Sequence, residues 1–265
     1  VRIENSFIPV RGVGERTERR LWERGITHWD DFDRSVDVRG VGATTADRID
    51  GFIDRARDRL RAGDAAFFDD VFPSDQRWRL YEDFRTETCY FDIETTGLDE
   101  QANQVTTVSF HRDGETTTLV AGEDLTAEAV HDRLTDAAVI ASFNGARFDV
   151  PFLETNLGIE IDTPHLDLLY PCRQLGLSGG LKAIESEIGV ERDRPDISGR
   201  DAVRLWHEYE RGDEEALETL VSYNREDARN LETLADVVCE SLHRDVFGSV
   251  AGSANPGRSE PAAGE

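Results

Sequence analysis

The chain is 265 residues long and carries 30 basic against 55 acidic side chains, a formal net charge of −25. That length allows one large domain or two of ordinary size, each with a real core, while no run approaches the roughly 18 consecutive apolar residues of a membrane span and the charged N-terminus has no signal-peptide apolar region; the expectation is a cytoplasmic protein with no membrane partner. Its three cysteines are far apart and never in a CxxC pair, which argues against a disulfide framework or thiolate metal site, and its six histidines lack metal-ligand spacing.

In chain order, the first feature is an internal repeat. Val10-Arg11-Gly12-Val13-Gly14 recurs as Val38-Arg39-Gly40-Val41-Gly42, with Thr17 matching Thr45 and Arg20 matching Arg48. Each glycine turn feeds a helix, expected at 15–24 and 43–62, and Trp22, Trp29, Phe32 and Phe52 are the candidate core. Residues 1–62 resemble a pair of helix-hairpin-helix motifs, whose glycine hairpins present backbone N–H groups to phosphates. The first copy departs from that pattern because residues 2–9 are too few for a full preceding helix. The alternative is a small helical bundle that only packs on the rest of the chain. Residues 63–85, with Gly63 and Pro73, read as a connection.

Strands are expected next at 88–94, 104–111, 115–121, 137–143 and 163–168, with Asp113-Gly114 turning the second into the third. Helices are expected at 126–135, 150–157, 180–188, 200–210 and 214–245. Three meander strands succeeded by alternating helix and strand give an α/β fold, a mixed sheet covered by helices. From 247 to 265 the Gly, Ser, Pro and Ala content predicts a disordered tail.

Three segments of the larger domain, 86–246, carry chemistry. In Phe91-Asp92-Ile93-Glu94 the side chains alternate faces, so Asp92 and Glu94 point one way and Phe91 and Ile93 into a core. Two carboxylates on one surface repel and need a cation or a shared proton. Asn144-Gly145-Ala146-Arg147-Phe148-Asp149 turns out of the fourth strand and places Asp149 at a helix entrance near Pro151. Within the last helix Tyr223 and Asp227 are four apart and share a face.

Taken together, these segments resemble the three motifs of the DnaQ-like, RNase H-fold 3′→5′ exonucleases, in the tyrosine-containing DEDDy class. The stretch from His165 to Leu234, with His165-Leu166-Asp167-Leu168-Leu169-Tyr170-Pro171-Cys172-Arg173 and Gly180-Leu181-Lys182-Ala183-Ile184-Glu185, is similar to the YprB-type exonuclease domain. The resemblance spans about residues 86–242 and implies an RNase H-like five-stranded mixed sheet.

Phosphodiester cleavage needs an activated water, a stabilised leaving alkoxide and neutralised phosphoryl oxygens. Two hard cations roughly 3.5–4 Å apart, Mg²⁺ or Mn²⁺, supply all three, and Asp92, Glu94, Asp149 and Asp227 can build their cage. The resemblance implies that Asp92 contacts both ions, that Tyr223 orients the attacking water, and that Thr95, Thr96, Gly97 and Leu98 grip the 3′-terminal nucleotide of DNA or RNA. It also implies that Leu98 and Phe148 pack on its base and Asn144 holds substrate or water. Ordinary core filling is the other reading of Leu98 and Phe148.

Of the basic residues only Lys182 is lysine. At a loop-to-helix transition it could meet a phosphate or an active-site acid, or be a solvated surface residue. Acid excess with arginine almost alone points to a halophile, an acidic partner-binding surface and nucleic-acid mimicry being the alternatives. At molar salt the Debye length falls to about 3 Å, so the net charge does not exclude a polyanionic partner. The alternatives to an exonuclease are an RNase H-fold endonuclease and a catalytically silent nucleic-acid-binding module.

Overall fold

Alternating apolar and polar runs between residues 88 and 167 fold into a five-stranded mixed sheet, in a computed structural model that describes residues 2–248 and 250. The chain divides into two compact units, Val1–Asp83 with Glu240–Glu265, and Phe84–Cys239.

In the first unit, α1 (Glu15–Glu23) and α2 (Ala43–Arg61) come directly after the two glycine hairpins. Gly12 and Gly40 share the same left-handed backbone, φ 101°, which explains why glycine stands at both positions. The hairpins exchange supports: Arg20 donates to the Arg39 carbonyl at 3.1 Å and Arg48 to the Arg11 carbonyl at 3.4 Å. As the short N-terminal segment suggests, among the described residues only a 3₁₀ turn, Ile3–Asn5, precedes the first hairpin. Trp22, Trp29 and Phe52 are buried as expected. Phe32 is only half-buried, its ring 6.2 Å from that of Phe7.

Residues 63–85 are largely helical rather than an open connection. They form α3 (Ala65–Val71), a 3₁₀ segment Ser74–Leu80 and α4 (Tyr81–Phe84). The anchor is Arg79, buried and ion-paired with buried Glu18 at 2.9 Å, whose carboxylate also accepts from the backbone N–H groups of Phe7 and Ile8. A buried charge pair persists only when its remaining hydrogen-bonding capacity is met, as it is on Glu18. At the other end of this unit a π-helical turn, Arg244–Gly248, sets Phe247 edge-on against Trp22, 5.1 Å between centroids. Order therefore extends to the first two residues of the expected tail; apart from 250, the rest of 247–265 lies outside the described residues.

The second unit holds β1 (Thr88–Thr95), β2 (Val105–Arg112), β3 (Glu115–Val120), α5 (Ala127–Thr135), β4 (Val139–Ser142), α6 (Asp149–Leu157), β5 (His165–Asp167), α7 (Leu169–Gln174), α8 (Leu181–Ile188), α9 (Gly199–Tyr209) and most of α10 (Glu214–His243). The sheet order is β3-β2-β1-β4-β5, with β1 antiparallel to β2 and parallel to β4. Phe91 and Ile93 enter a core with Val108, Phe110, Ile140, Phe152 and Leu153. Each such buried side chain contributes roughly 1.5–3 kcal/mol, so β1 is fixed in the register that turns Asp92 and Glu94 to the opposite face. The three cysteines are all buried and form no disulfide among the described residues.

Candidate active site

β1 delivers the first two acids and then loses its regular pairing. Asp92 faces Ser109 and Glu94 faces Thr107 across the β1/β2 ladder, and the register shifts between Glu94 and Thr95. A bulge at this point bends the strand out of the sheet and re-aims the residues from Thr95 onward. In the loop beyond, Thr95 Oγ1 donates to the Gly97 carbonyl at 2.6 Å, and Thr96 Oγ1 accepts from Gln104 N at 3.1 Å. A Cβ on Gly97 would stand 2.4 Å from Asn103 Oδ1, so a side chain there would have to push the Asn103 amide aside. Leu98 projects into solvent, 86% exposed, which rules out core filling for it. Phe148 does pack partly on the core, its ring 4.8 Å from Phe152.

The second segment is shaped from below by Asp167 at the end of β5. Its buried carboxylate accepts from the backbone N–H groups of Asn144 at 2.7 Å, Ala146 at 3.2 Å and Leu169 at 3.1 Å. This holds Asn144 in the left-handed region, φ 62°, where asparagine is tolerated better than most residues. A Cβ on Gly145 would lie 2.0 Å from Ser142 Oγ. The tight turn leaves Asp149 as the first residue of α6, buried.

The third segment lies on α10, packed by buried Leu220, Leu231, Leu234 and Val238. Asn224 is wholly buried and ties helix to sheet. Its amide donates to Asp92 Oδ2 at 2.8 Å and to the Asp92 carbonyl at 3.1 Å, and its oxygen accepts from Ser109 Oγ at 2.7 Å.

These elements bring together carboxylate oxygens of Asp92, Glu94 and Asp227, all within 4.8 Å of one another. Asp149 stands beside this trio. Burial, then the charges of Asp227, Asp149 and Glu94, raises Asp92 well above the ordinary carboxylate range; burial, then Asp227 and Asp149, does the same to Glu94. Asp149 is pushed up to about 7 by burial and by Asp167 and Asp227. Asp227 is pushed up to about 6 by burial, against the opposing pull of Arg192. Such a cluster is unfavourable until it gains protons or a cation. An all-oxygen donor set is what a hard divalent cation takes, so these residues fit one.

Tyr223 sits over the same cluster. Burial, then Asp227, Glu94 and Asp92, holds its phenol protonated far above the ordinary tyrosine range. Two cations flank its ring: Lys182 Nζ is 4.8 Å and the Arg192 guanidinium 5.9 Å from its centroid. Lys182 is thus not an isolated surface residue, and burial and the nearby Arg192 lower its pKa. Thr95 to Leu98 lie at the end of β1, which carries Asp92 and Glu94, and Asn144 lies just beyond β4 in the turn that leads to Asp149, although no contact of the Asn144 side chain with the cluster is seen.

Sequence reasoning missed Asn224, Asp167 and Arg192. Asn224 had a usable signal, since it is three residues before Asp227 and so shares a helix face with it. Arg192 had none: it lies in a loop, and its partners Glu185 and Asp227 are on two different helices.

A mixed β3-β2-β1-β4-β5 sheet with acids gathered from β1, α6 and α10 defines the class, and residues 89–239 match the family model of the RNase H superfamily. The chain belongs to that superfamily. Among solved structures, the fold is similar to that of a family B DNA polymerase from the hyperthermophilic archaeon Pyrobaculum calidifontis. That match has TM-score 0.50 and 21% identity, over 63% of this chain and 26% of the polymerase chain. Brucella melitensis NrnC bound to pGG matches with TM-score 0.43 and 20% identity, over 65% of this chain and 81% of NrnC. The same protein with bound Mg²⁺ gives TM-score 0.42 and 17% identity, over 70% and 94%. No curated protein matches the sequence. Among the described residues no helix is long and apolar enough to cross a membrane.

Proposed function

We propose that the chain is a metal-dependent 3′→5′ exonuclease of the DEDDy class, closest to the YprB type, that hydrolyses phosphodiester bonds of DNA or RNA. The observation that carries this reading is the convergence of the Asp92, Glu94 and Asp227 carboxylates, with Asp149 beside them, in a half-buried to buried site. Two Mg²⁺ or Mn²⁺ ions held there would neutralise phosphoryl oxygens and lower the pKa of water.

The chain's own groups divide the remaining work. Tyr223, protonated throughout the working range, donates a hydrogen bond that can orient the attacking water without ionising. Asn224 fixes Asp92 in the rotamer that faces Asp227. Leu98, solvent-exposed just beyond the acids of β1, offers an apolar face to the terminal base, and Phe148 offers a second. Thr95, Thr96 and Gly97 form a loop rigid enough to present backbone groups to that nucleotide, and Asn144 and Lys182 are the further substrate contacts. The paired glycine hairpins support nucleic-acid binding by the first unit, a helix-hairpin-helix role in which N–H groups before α1 and α2 meet phosphates. The acid excess belongs to the same reading as adaptation to high salt.

Single- and double-stranded DNA and RNA, labelled at the 5′ end, test this reading in high salt with Mg²⁺ or Mn²⁺. The proposal expects a ladder shortening from the 3′ end with mononucleotide products. Discrete internal fragments without mononucleotides would identify an endonuclease instead.

A further inference from the structure

Among the described residues, Arg192 is the one guanidinium ion-paired with an acid of the site, Asp227. It lies in the segment 189–198 between α8 and α9, yet its side chain is only 5% exposed, ion-paired to Glu185 of α8 and Asp227 of α10, themselves 0% and 6% exposed. Its Nη1 is buried without a hydrogen-bond partner. A second contact holds the same segment: buried Glu226 accepts from the backbone N–H groups of Asp193 and, at 3.2 Å, Arg194. Two consecutive acids of α10 thus latch consecutive residues of one loop.

The conflict lies at Asp227. Its Oδ1 accepts from Arg192, while a carboxylate oxygen of the same side chain lies within 4.8 Å of Asp92 and Glu94. A guanidinium and a divalent cation sharing one buried carboxylate repel each other at low dielectric. Each is stabilised by the charge the other would neutralise.

We propose that Arg192 is a resident counter-cation of the site, which a divalent ion displaces from Asp227, so that loading the site unlatches the segment 189–198. This rests on the reading above, that Asp92, Glu94 and Asp227 hold the ion. Without metal the arginine keeps Asp227 and Glu185 from being unpaired buried charges. With metal it is released at the edge of the site, beside Tyr223.

Calorimetric titration of the full chain with Mn²⁺ tests the proposal, comparing the parent with Arg192→Gln, Lys182→Gln and Asp92→Asn. Removal of a competitor should tighten Mn²⁺ binding by Arg192→Gln roughly 5- to 150-fold, the usual span of coupling between two sites. The gain should clearly exceed that in Lys182→Gln, which removes a neighbouring charge but no bond to Asp227. Equal affinity for Arg192→Gln and parent, or equal tightening in both neutral variants, would overturn the displacement. Should Arg192→Gln fail to fold, hydrogen exchange in the parent decides. Saturating Mn²⁺ should accelerate exchange at the amides of Asp193 and Arg194, and unchanged or slower exchange there would overturn the proposal. Asp92→Asn separates the two claims: if it binds Mn²⁺ as the parent does, the metal site itself is misplaced and the displacement falls with it.

Discussion

Replacing Asn224 by alanine removes three hydrogen bonds at once, to Asp92 Oδ2, the Asp92 carbonyl and Ser109 Oγ. Each ordinary intramolecular hydrogen bond contributes about 0.5–1.5 kcal/mol net, and a bond to a charged group somewhat more. The substitution should therefore cost roughly 2–4 kcal/mol, a large part of the ~5–15 kcal/mol that holds a typical domain folded. The site should suffer beyond the general loss, because Asp92 loses the donor that fixes its rotamer. Outer-sphere partners of metal ligands are commonly worth about 10–100-fold in metal affinity. Urea denaturation measures the first effect and calorimetric Mn²⁺ titration of the folded variant the second. An unfolding free energy within about 0.5 kcal/mol of the parent, the range of an inconsequential surface change, together with unaltered Mn²⁺ affinity, would refute the view that Asn224 ties α10 to the acid on β1.

The same geometry sets three more expectations. Tyr223→Phe should slow turnover while leaving Mn²⁺ affinity unchanged, since the phenol serves water and not the metal; a calorimetric loss of affinity would reassign it. Asp149 has a folded pKa of about 7 against an ordinary 3.8. A raised folded pKa gives stability that is complete below the lower value and lost as pH rises through the upper one. Metal-free Asp149→Asn, which mimics the protonated form, should therefore melt higher than the parent at pH 8, by a margin that shrinks as the pH falls from about 7 toward 3.8, and a margin that does not change with pH would contradict the assignment. Leu98→Ala should leave the melting temperature unchanged, because the side chain is 86% exposed, while raising KM for nucleic acid; unaltered KM would remove Leu98 from the substrate site.

The sheet was legible because its strands alternate or run apolar between clear turn signals. The expected 88–94, 104–111 and 115–121 became Thr88–Thr95, Val105–Arg112 and Glu115–Val120. That Asp92 and Glu94 share one face was readable from strand alternation, and that Tyr223 and Asp227 share one from helical spacing, but only the three segments together marked them as a candidate site. The segment 63–85 was misjudged because Gly63 and Pro73 mark breaks but do not reveal that Arg79, between them and α4, pairs with Glu18 sixty-one positions earlier. α7 was not anticipated: six residues with an internal proline give too little periodicity to register. Asp167 and Arg192 act through loop backbone and long-range ion pairs, contacts that a one-dimensional pattern does not encode.

The site's central claim is that four acids, not the fold in general, perform the chemistry. The most direct measurement is stepwise shortening of 5′-labelled DNA and RNA by parent and Asp92→Asn, each shown folded by circular dichroism, with and without excess chelator. The account predicts that the substitution and the chelator each nearly abolish cleavage while the fold persists. Cleavage by folded Asp92→Asn at the parent's rate, or by the parent undiminished in chelator, would contradict it.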